Sequence, residues 1–176
     1  MAFENTCNLL KERFGADSFT TSEFRDNRRI HVAAGRLFEM LKCLKEDAGF
    51  DYLAELCAAD YLNYPNARDR YGVIYGLTNT VTGERLFVKT FVNDPDPVLP
   101  SCFPIWKAAD WLEREVFDMY GIVFEGHPQL KRIYLYEEFQ GHPLRKDYPK
   151  ERRQPLIGPG SPHPSALRPR PPTNEE

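Results

Sequence analysis

The chain has 176 residues, 41% of them hydrophobic and 13% aromatic, which excludes wholesale disorder and gives one ordinary domain enough apolar surface for a core of its own. A formal charge of −3 suits neither a nucleic-acid binder nor a strongly acidic chain. No apolar run approaches the ~20 residues that a bilayer span requires, and the N-terminus has neither a basic start nor an apolar h-region, so a soluble, unexported protein is expected.

A first helix is predicted over residues 5–14, where Leu9, Leu10 and Phe14 form a short apolar stripe and Gly15 supplies the stop. A polar strand follows over residues 24–32, with Arg28, Ile30 and Val32 alternating against Arg29 and His31. The helical spacing of Leu37, Phe38, Leu41, Leu44 and Ala48 predicts a helix over residues 33–48, closed by Gly49. Residues 53–62 read two ways: Leu53, Leu56 and Cys57 suit a helix, whereas the position before a hairpin suits a strand, which is the reading adopted. Residues 71–78 and 85–92 are β-branched and aromatic and are joined by a loop with Asn79 and Gly83, which predicts a hairpin. A proline-rich connector over residues 93–104 leads to a helix marked by Ile105, Ala109, Leu112, Val116 and Met119 and stopped by Gly121. The order α, β, α, β, β, β, α predicts an α+β domain over residues 1–128, a mostly antiparallel sheet covered by helices.

From Gly121 onward the periodicity is lost. Two Gly-His-Pro turns, at Gly126-His127-Pro128 and Gly141-His142-Pro143, flank the short apolar run Ile133-Tyr134-Leu135-Tyr136, and residues 129–154 read as an irregular docking segment. Residues 155–176 contain seven prolines and few large apolar side chains, so a long extended tail is expected, either laid along a partner or merely a disordered end. Residues 1–128 hold 14 Lys and Arg against 20 Asp and Glu, whereas residues 129–176 hold 9 against 6. A basic end on an acidic body predicts a docking surface, with Arg145 and Lys146 offering charge-assisted hydrogen bonds to acidic groups of a partner.

Candidate chemistry is sparse. Cys7, Cys43, Cys57 and Cys102 stand far apart with no Cys-x-x-Cys pair, which argues for a reduced, cytoplasmic setting and against a zinc knuckle, a local iron-sulfur run or a disulfide framework. His127, His142, Glu125 and Asp147 could be imagined around a metal, but Gly and Pro explain each His turn without one, and neither metal nor flavin is expected on the isolated chain. There is no Gly-x-Ser-x-Gly elbow, no Gly-x-Gly-x-x-Gly and no Walker A loop. Lys131, Arg132, Arg145 and Lys146, interleaved with aromatics, have the composition of a weak single-strand RNA binder. Glu137, Glu138 and Asp147 interrupt that patch, so a protein interface with charge pairs is the more economical reading, without nucleic acid. Arg114 and Asp118 lie at i, i+4 on one helix face, with Glu115 beside the apolar stripe. These charges read either as a solvated face or, given Trp106 and Trp111 just before them, as paired structural charges near a buried surface.

At these residues the sequence resembles a known family. Glu113-Arg114-Glu115, then Asp118-Met119-Tyr120, Gly121-Ile122, His127, Lys131 and Arg132-Ile133 resemble the signature of the C subunit, the 30 kDa-type subunit, of respiratory complex I, the NADH-quinone oxidoreductase. A second block, Gly-His-Pro-Leu-Arg-Lys-Asp-Tyr-Pro at residues 141–149, includes His142, Arg145, Lys146 and Asp147. Pro100-Ser101, Ile105-Trp106 and Ala59-Asp60-Tyr61 are similar to the family as well, so the likeness covers residues 30–150. The family often continues with an ordered segment of recurring acids and tyrosines, where this chain turns proline-rich.

The resemblance implies an α+β domain with a long C-terminal extension, in a non-catalytic subunit of the peripheral arm. It implies no cofactor on this chain, in a complex that uses FMN, iron-sulfur clusters, NADH and quinone. The implied partners are the quinone-site (D) subunit and the iron-sulfur (B and I) subunits, on the cytoplasmic side of a bacterial inner membrane, without a span of its own and without fusion to the D subunit. Glu115→Ala is then expected to lower the amount of assembled complex more than turnover per complex. An equivalent subunit of a membrane-bound NiFe hydrogenase or deazaflavin-dependent dehydrogenase is the near alternative. A stand-alone metal-dependent hydrolase using His127 and His142 is the distant one.

Overall fold

Helix α1 (Phe3–Phe14) buries Cys7 and Leu10 and ends at Gly15, after which the chain makes one 3-10 turn and enters β1 (Phe19–Phe24). The computed structural model describes residues 3–149, 151 and 154, so the tail predicted over residues 155–176, with Lys150, Arg152 and Arg153, lies outside the described residues. Strand β1 pairs antiparallel with β2 (Asn27–Val32), and the turn between them places Arg25 at φ +54°. The sequence reading ran one polar strand through this turn and missed β1, because five of its six residues face solvent and present no alternation.

After a 3-10 turn, α2 (Leu37–Glu46) buries Leu37, Met40, Leu41, Cys43 and Leu44 along one stripe. It starts four residues later than the apolar spacing suggested. Strands β3 (Tyr52–Asp60), β4 (Tyr71–Thr78) and β5 (Arg85–Val92) follow, and the adopted strand reading for the ambiguous segment is the observed one. The five strands lie in the order β1-β2-β5-β4-β3, all antiparallel except the β2–β5 pair.

One face of this sheet meets the helices. Ile30 and Val32 of β2, Val73, Tyr75 and Leu77 of β4, and Leu86 and Val88 of β5 join Leu10, Leu37, Met40 and Leu44 in a single core. Each fully buried aliphatic or aromatic side chain there contributes roughly 1.5–3 kcal/mol relative to exposure. Among the described residues, no helix of the core covers the other face.

The proline-rich connector holds β6 (Val98–Pro100), which pairs in parallel with β7 (Val123–Glu125) beyond helix α3 (Ala109–Tyr120). The helix begins four residues after Ile105, since residues 102–108 form turns in which Ile105 and Trp106 donate their N–H groups to Cys102 O. Gly121 closes α3 at φ +77°, with its N–H on Phe117 O. A side chain at that φ would be strained. Among the described residues no helix is long and apolar enough to cross a membrane.

Candidate functional site: the signature helix and its strap

Helix α3 packs along edge strand β3, and the signature charges leave it in different directions. Glu113 and Asp118 are both fully buried. Glu113 points to the connector before the helix, where its Oε2 accepts from Ser101 Oγ at 2.6 Å and its Oε1 accepts from the Cys102 N–H at 2.6 Å. Burial pushes the Glu113 carboxyl up, against the pull of the Ser101 and Cys102 hydrogen bonds.

Asp118 does the reverse. Its Oδ1 pairs with Arg132 Nη1 at 2.7 Å, while its Oδ2 accepts the N–H groups of Ile133, Tyr134 and Leu135 at 3.1, 2.9 and 3.0 Å. Burial alone would raise this carboxyl, but the three backbone donors and the guanidinium outweigh it and hold the group below the ordinary range. Arg132 also donates through Nη2 to Phe139 O and Gly141 O, so one guanidinium ties the helix end to both halves of the strap formed by residues 129–149.

Arg114 and Asp118, placed at i, i+4 on α3, do not pair with each other. Arg114 instead donates to Lys131 O at 3.1 Å and Arg132 O at 3.3 Å, with its guanidinium 5.2 Å from the centroid of the Trp111 ring. The reason is competition: the strap offers Asp118 four donors where the helix face offered one. Glu115 meets the Tyr134 hydroxyl at 3.4 Å, and Lys131 contributes its backbone carbonyl.

The two histidines are separate fixtures. His127 Nδ1 accepts the Gln129 N–H at 3.0 Å, so its Nε2 carries the proton and faces Asp110, 3.2 Å from the carbonyl and 3.4 Å from the carboxylate. His142 Nδ1 donates to Asp118 O at 2.9 Å, and burial lowers its pKa further than that bond restores it. Its ring lies against Gly121, where an added Cβ would sit 2.6 Å from Nε2. Among the described residues no three His, Cys, Asp or Glu side chains gather as a metal site.

Arg145, expected to reach for a partner, is paired within the chain, as is Asp147, and Lys146 is held through its backbone N–H. Arg145 donates to Asp94 Oδ1 at 2.7 Å and lies 3.6 Å from Asp147, and the Lys146 N–H donates to Asp60 Oδ2 at 2.8 Å. Arg70 joins buried Asp60 at 3.1 Å and Asp147 at 2.9 Å and also pairs with Asp94. Burial would raise Asp60, but Arg70 and the N–H groups of Lys146 and Leu62 bring it below its ordinary value. Asp60 and Asp147 raise the already high pKa of Arg70 despite its own burial. Ala59-Asp60-Tyr61 stood out in the sequence, but no role for Asp60, Arg70 or Asp94 was legible there. Apart from the Leu62 N–H, their partners lie 10 to 86 residues away, and no local spacing announces them.

The comparisons with known proteins place the chain in a family. Residues 30–154 match the family described as respiratory-chain NADH dehydrogenase, 30 Kd subunit. The NADH-quinone oxidoreductase C subunit of Citrifermentans bemidjiense is 39% identical over 140 residues, 80% of this chain and 85% of that protein. NADH-quinone oxidoreductase subunit 5 of Thermus thermophilus is 48% identical over 107 residues, 57% of this chain and 52% of that protein. The C/D subunit of the same enzyme in Bdellovibrio bacteriovorus is 38% identical over 151 residues, 86% of this chain and 26% of its own length. Among solved structures, the trypsin-resistant fragment 1–134 of Nqo5 superposes with a TM-score of 0.63 at 34% identity, covering 71% of this chain and 99% of the fragment. A chain of the membrane-bound sulfane sulfur reductase, an archaeal respiratory membrane complex, gives 0.70 at 21% identity over 91% of this chain and 97% of its own, a likeness of fold alone. The chain belongs to the family of the 30 kDa subunit of respiratory-chain NADH dehydrogenase, the C subunit family of NADH-quinone oxidoreductase.

Proposed function

We propose that the chain is a structural subunit of the peripheral arm of NADH-quinone oxidoreductase, set against the quinone-site (D) subunit and near the iron-sulfur (B and I) subunits. Its place is the cytoplasmic side of a bacterial inner membrane. FMN, the iron-sulfur clusters, NADH and quinone belong to the other subunits, and this chain supplies a rigid surface that fixes where they sit. The observation that carries the structural role is the closure of the signature charges on one another: Asp118, Arg132 and Arg114 spend their hydrogen bonds holding residues 131–141 to α3. Groups so engaged are poor acids, bases or nucleophiles and good clamps.

The choice of the D subunit rests on relatives named as C/D, one polypeptide covering both, in Bdellovibrio bacteriovorus and in Bacteroides fragilis, the latter 48% identical over 124 residues. Fusion holds two modules at high effective concentration, which is useful where they already meet. Residues 129–154 are the proposed docking segment, with the clamp presenting Trp111, Arg114 and Tyr134 as fixed contacts; Trp111 is 62% and Tyr134 66% exposed. Trp, Tyr and Arg are the residue types that dominate binding energy at interfaces.

The test is affinity isolation of the tagged full chain from solubilised membranes, with mass spectrometry of what accompanies it. The D, B and I subunits are expected. Recovery of the chain alone, or with a NiFe large subunit, would contradict the proposal.

A further inference from the structure

The sheet face that no helix covers among the described residues has a composition of its own. Strand register puts three rows of side chains on it: Ser22, Arg29, Phe87, Gly76 and Glu55; Thr20, His31, Lys89, Ile74 and Cys57; and Phe91, Gly72 and Ala59. Arg85, opposite Thr78 and Tyr52, lies at the rim. The face thus carries Arg29, Arg85 and Lys89 against one acid, Glu55, on a body whose residues 1–128 hold six more acids than bases. Phe24 and Tyr52 flank it, 60% and 53% exposed, and two hollows of ≈ 480 and ≈ 320 Å³ lie on either side of Glu55.

The glycines make the relief. A Cβ at Gly72 would meet Lys89 Cε and Tyr61 Cε2 at 2.9 Å, and one at Gly76 would meet Glu55 Cγ at 2.5 Å. Their absence lets Lys89 lie across β4 with its ammonium over Tyr61 and Phe91, 4.6 and 4.7 Å from the ring centroids, and donate to the Tyr61 hydroxyl at 2.7 Å. A half-buried lysine held this way is already partly desolvated and fixed in place, so a carboxylate arriving there displaces little water and freezes no side chain.

We propose that this open sheet face is a second docking surface, distinct from the strap, and that its occupant is an acidic protein segment of a neighbouring subunit. Its carboxylates would pair with Lys89, Arg29 and Arg85, and its apolar side chains would fill the hollows beside Phe87. The inference rests on the reading of the chain as a peripheral-arm subunit. Exposed aromatics on a sheet also suit single-stranded nucleic acid. Here, however, Lys89 occupies the faces of Tyr61 and Phe91, and His31 stacks on Phe91 at 6.4 Å, so the rings are not free as base platforms. What the face offers outward is fixed positive charge and ring edges, which match carboxylates and aliphatic groups.

Cys57 is a built-in reporter. It is exposed on this face, whereas Cys7, Cys43 and Cys102 are buried. N-Ethylmaleimide should modify Cys57 about tenfold or more slowly in the purified complex than in the isolated full chain at the same pH, as expected for a group under a dry interface core. Carbodiimide treatment of the complex should join Lys89 to an Asp or Glu of another subunit. The double variant Arg29→Gln, Lys89→Met, checked for an unchanged fold by circular dichroism, should bind its partner about tenfold or more weakly.

Equal Cys57 reactivity in the isolated chain and in the complex would overturn the proposal. Protection of Cys57 on concentrating the isolated chain would assign the face to a second copy, and binding of a fluorescent oligouridylate abolished by the double variant would assign it to nucleic acid; either result replaces the proposal. Failure of the wild-type chain to co-purify with any arm subunit would sink the underlying functional reading and this inference together. Co-purification with an open Cys57 sinks this inference alone.

Discussion

Asp118 on α3 and Arg132 in the strap hold each other at 2.7 Å, and the second oxygen of the same carboxylate takes the N–H groups of residues 133–135. This one carboxylate therefore substitutes for the missing secondary structure of the strap. Asp118→Ala leaves Arg132 and three backbone donors without their acceptor, and loss of one partner of a buried pair costs about 3–5 kcal/mol. Urea denaturation should show that loss, and hydrogen exchange should show the 133–135 amides becoming unprotected while β4 and β5 stay slow. Asp118→Asn should cost less, since an amide oxygen still accepts.

Acid should loosen the strap first. Asp118 and Asp60 both have folded values below their ordinary ones. Their contribution is complete above the unfolded carboxyl value of about 3.9 and is lost as pH falls below it through the lower folded values. A stability profile measured from pH 7 down to 3 should fall in that window, and Asp118→Asn should flatten the fall.

Glu113 works with the opposite sign. Its folded value is raised by burial, so its contribution is complete below the unfolded value of about 4.3 and is lost as pH rises through the higher folded value. Glu113→Gln keeps an acceptor for the Cys102 N–H and a donor toward Ser101. It should remove the decline above that window, read by denaturation at pH 5 and pH 8.

Gly121 is the hinge on which the strap returns. At φ +77° and with His142 packed against its Cα, Gly121→Ala adds both backbone strain and a clash. A loss of about 1–3 kcal/mol is expected, with the 141–149 segment rather than the sheet losing protection.

Arg145 and Asp94 are 22% and 34% exposed, so their coupling should be modest, about 1 kcal/mol in a double-mutant cycle. A measurable coupling in the isolated chain places this pair in the chain's own stability. None would return Arg145 to service at an interface.

What could be read from the sequence follows from how each part is held. The strands over residues 71–78 and 85–92 show in the sequence because β-branched and aromatic residues recur in them, and the burial of alternate residues in β5 gives the reason. Strand β1 was invisible, being anchored by Phe19 alone and otherwise exposed. The site divides the same way. Glu113, Asp118 and Arg132 stood out as a motif, but apart from the Ser101 hydroxyl and the Asp118–Arg132 pair their partners are backbone N–H and C=O groups, which leave no pattern in side-chain identity. A strap held by such groups needs no apolar period, which is why residues 129–149 read as irregular although they are bound to the domain.

The central claim is that the signature helix and its strap are structural within the NADH-quinone oxidoreductase arm. The direct measurement is NADH-dependent quinone reduction divided by the amount of assembled complex, in membranes carrying Asp118→Ala or Glu115→Ala. The account predicts less assembled complex, with Asp118→Ala the more severe, and unchanged turnover per complex. Assembly at the wild-type level with collapsed turnover would contradict it and give these carboxylates a part in the chemistry.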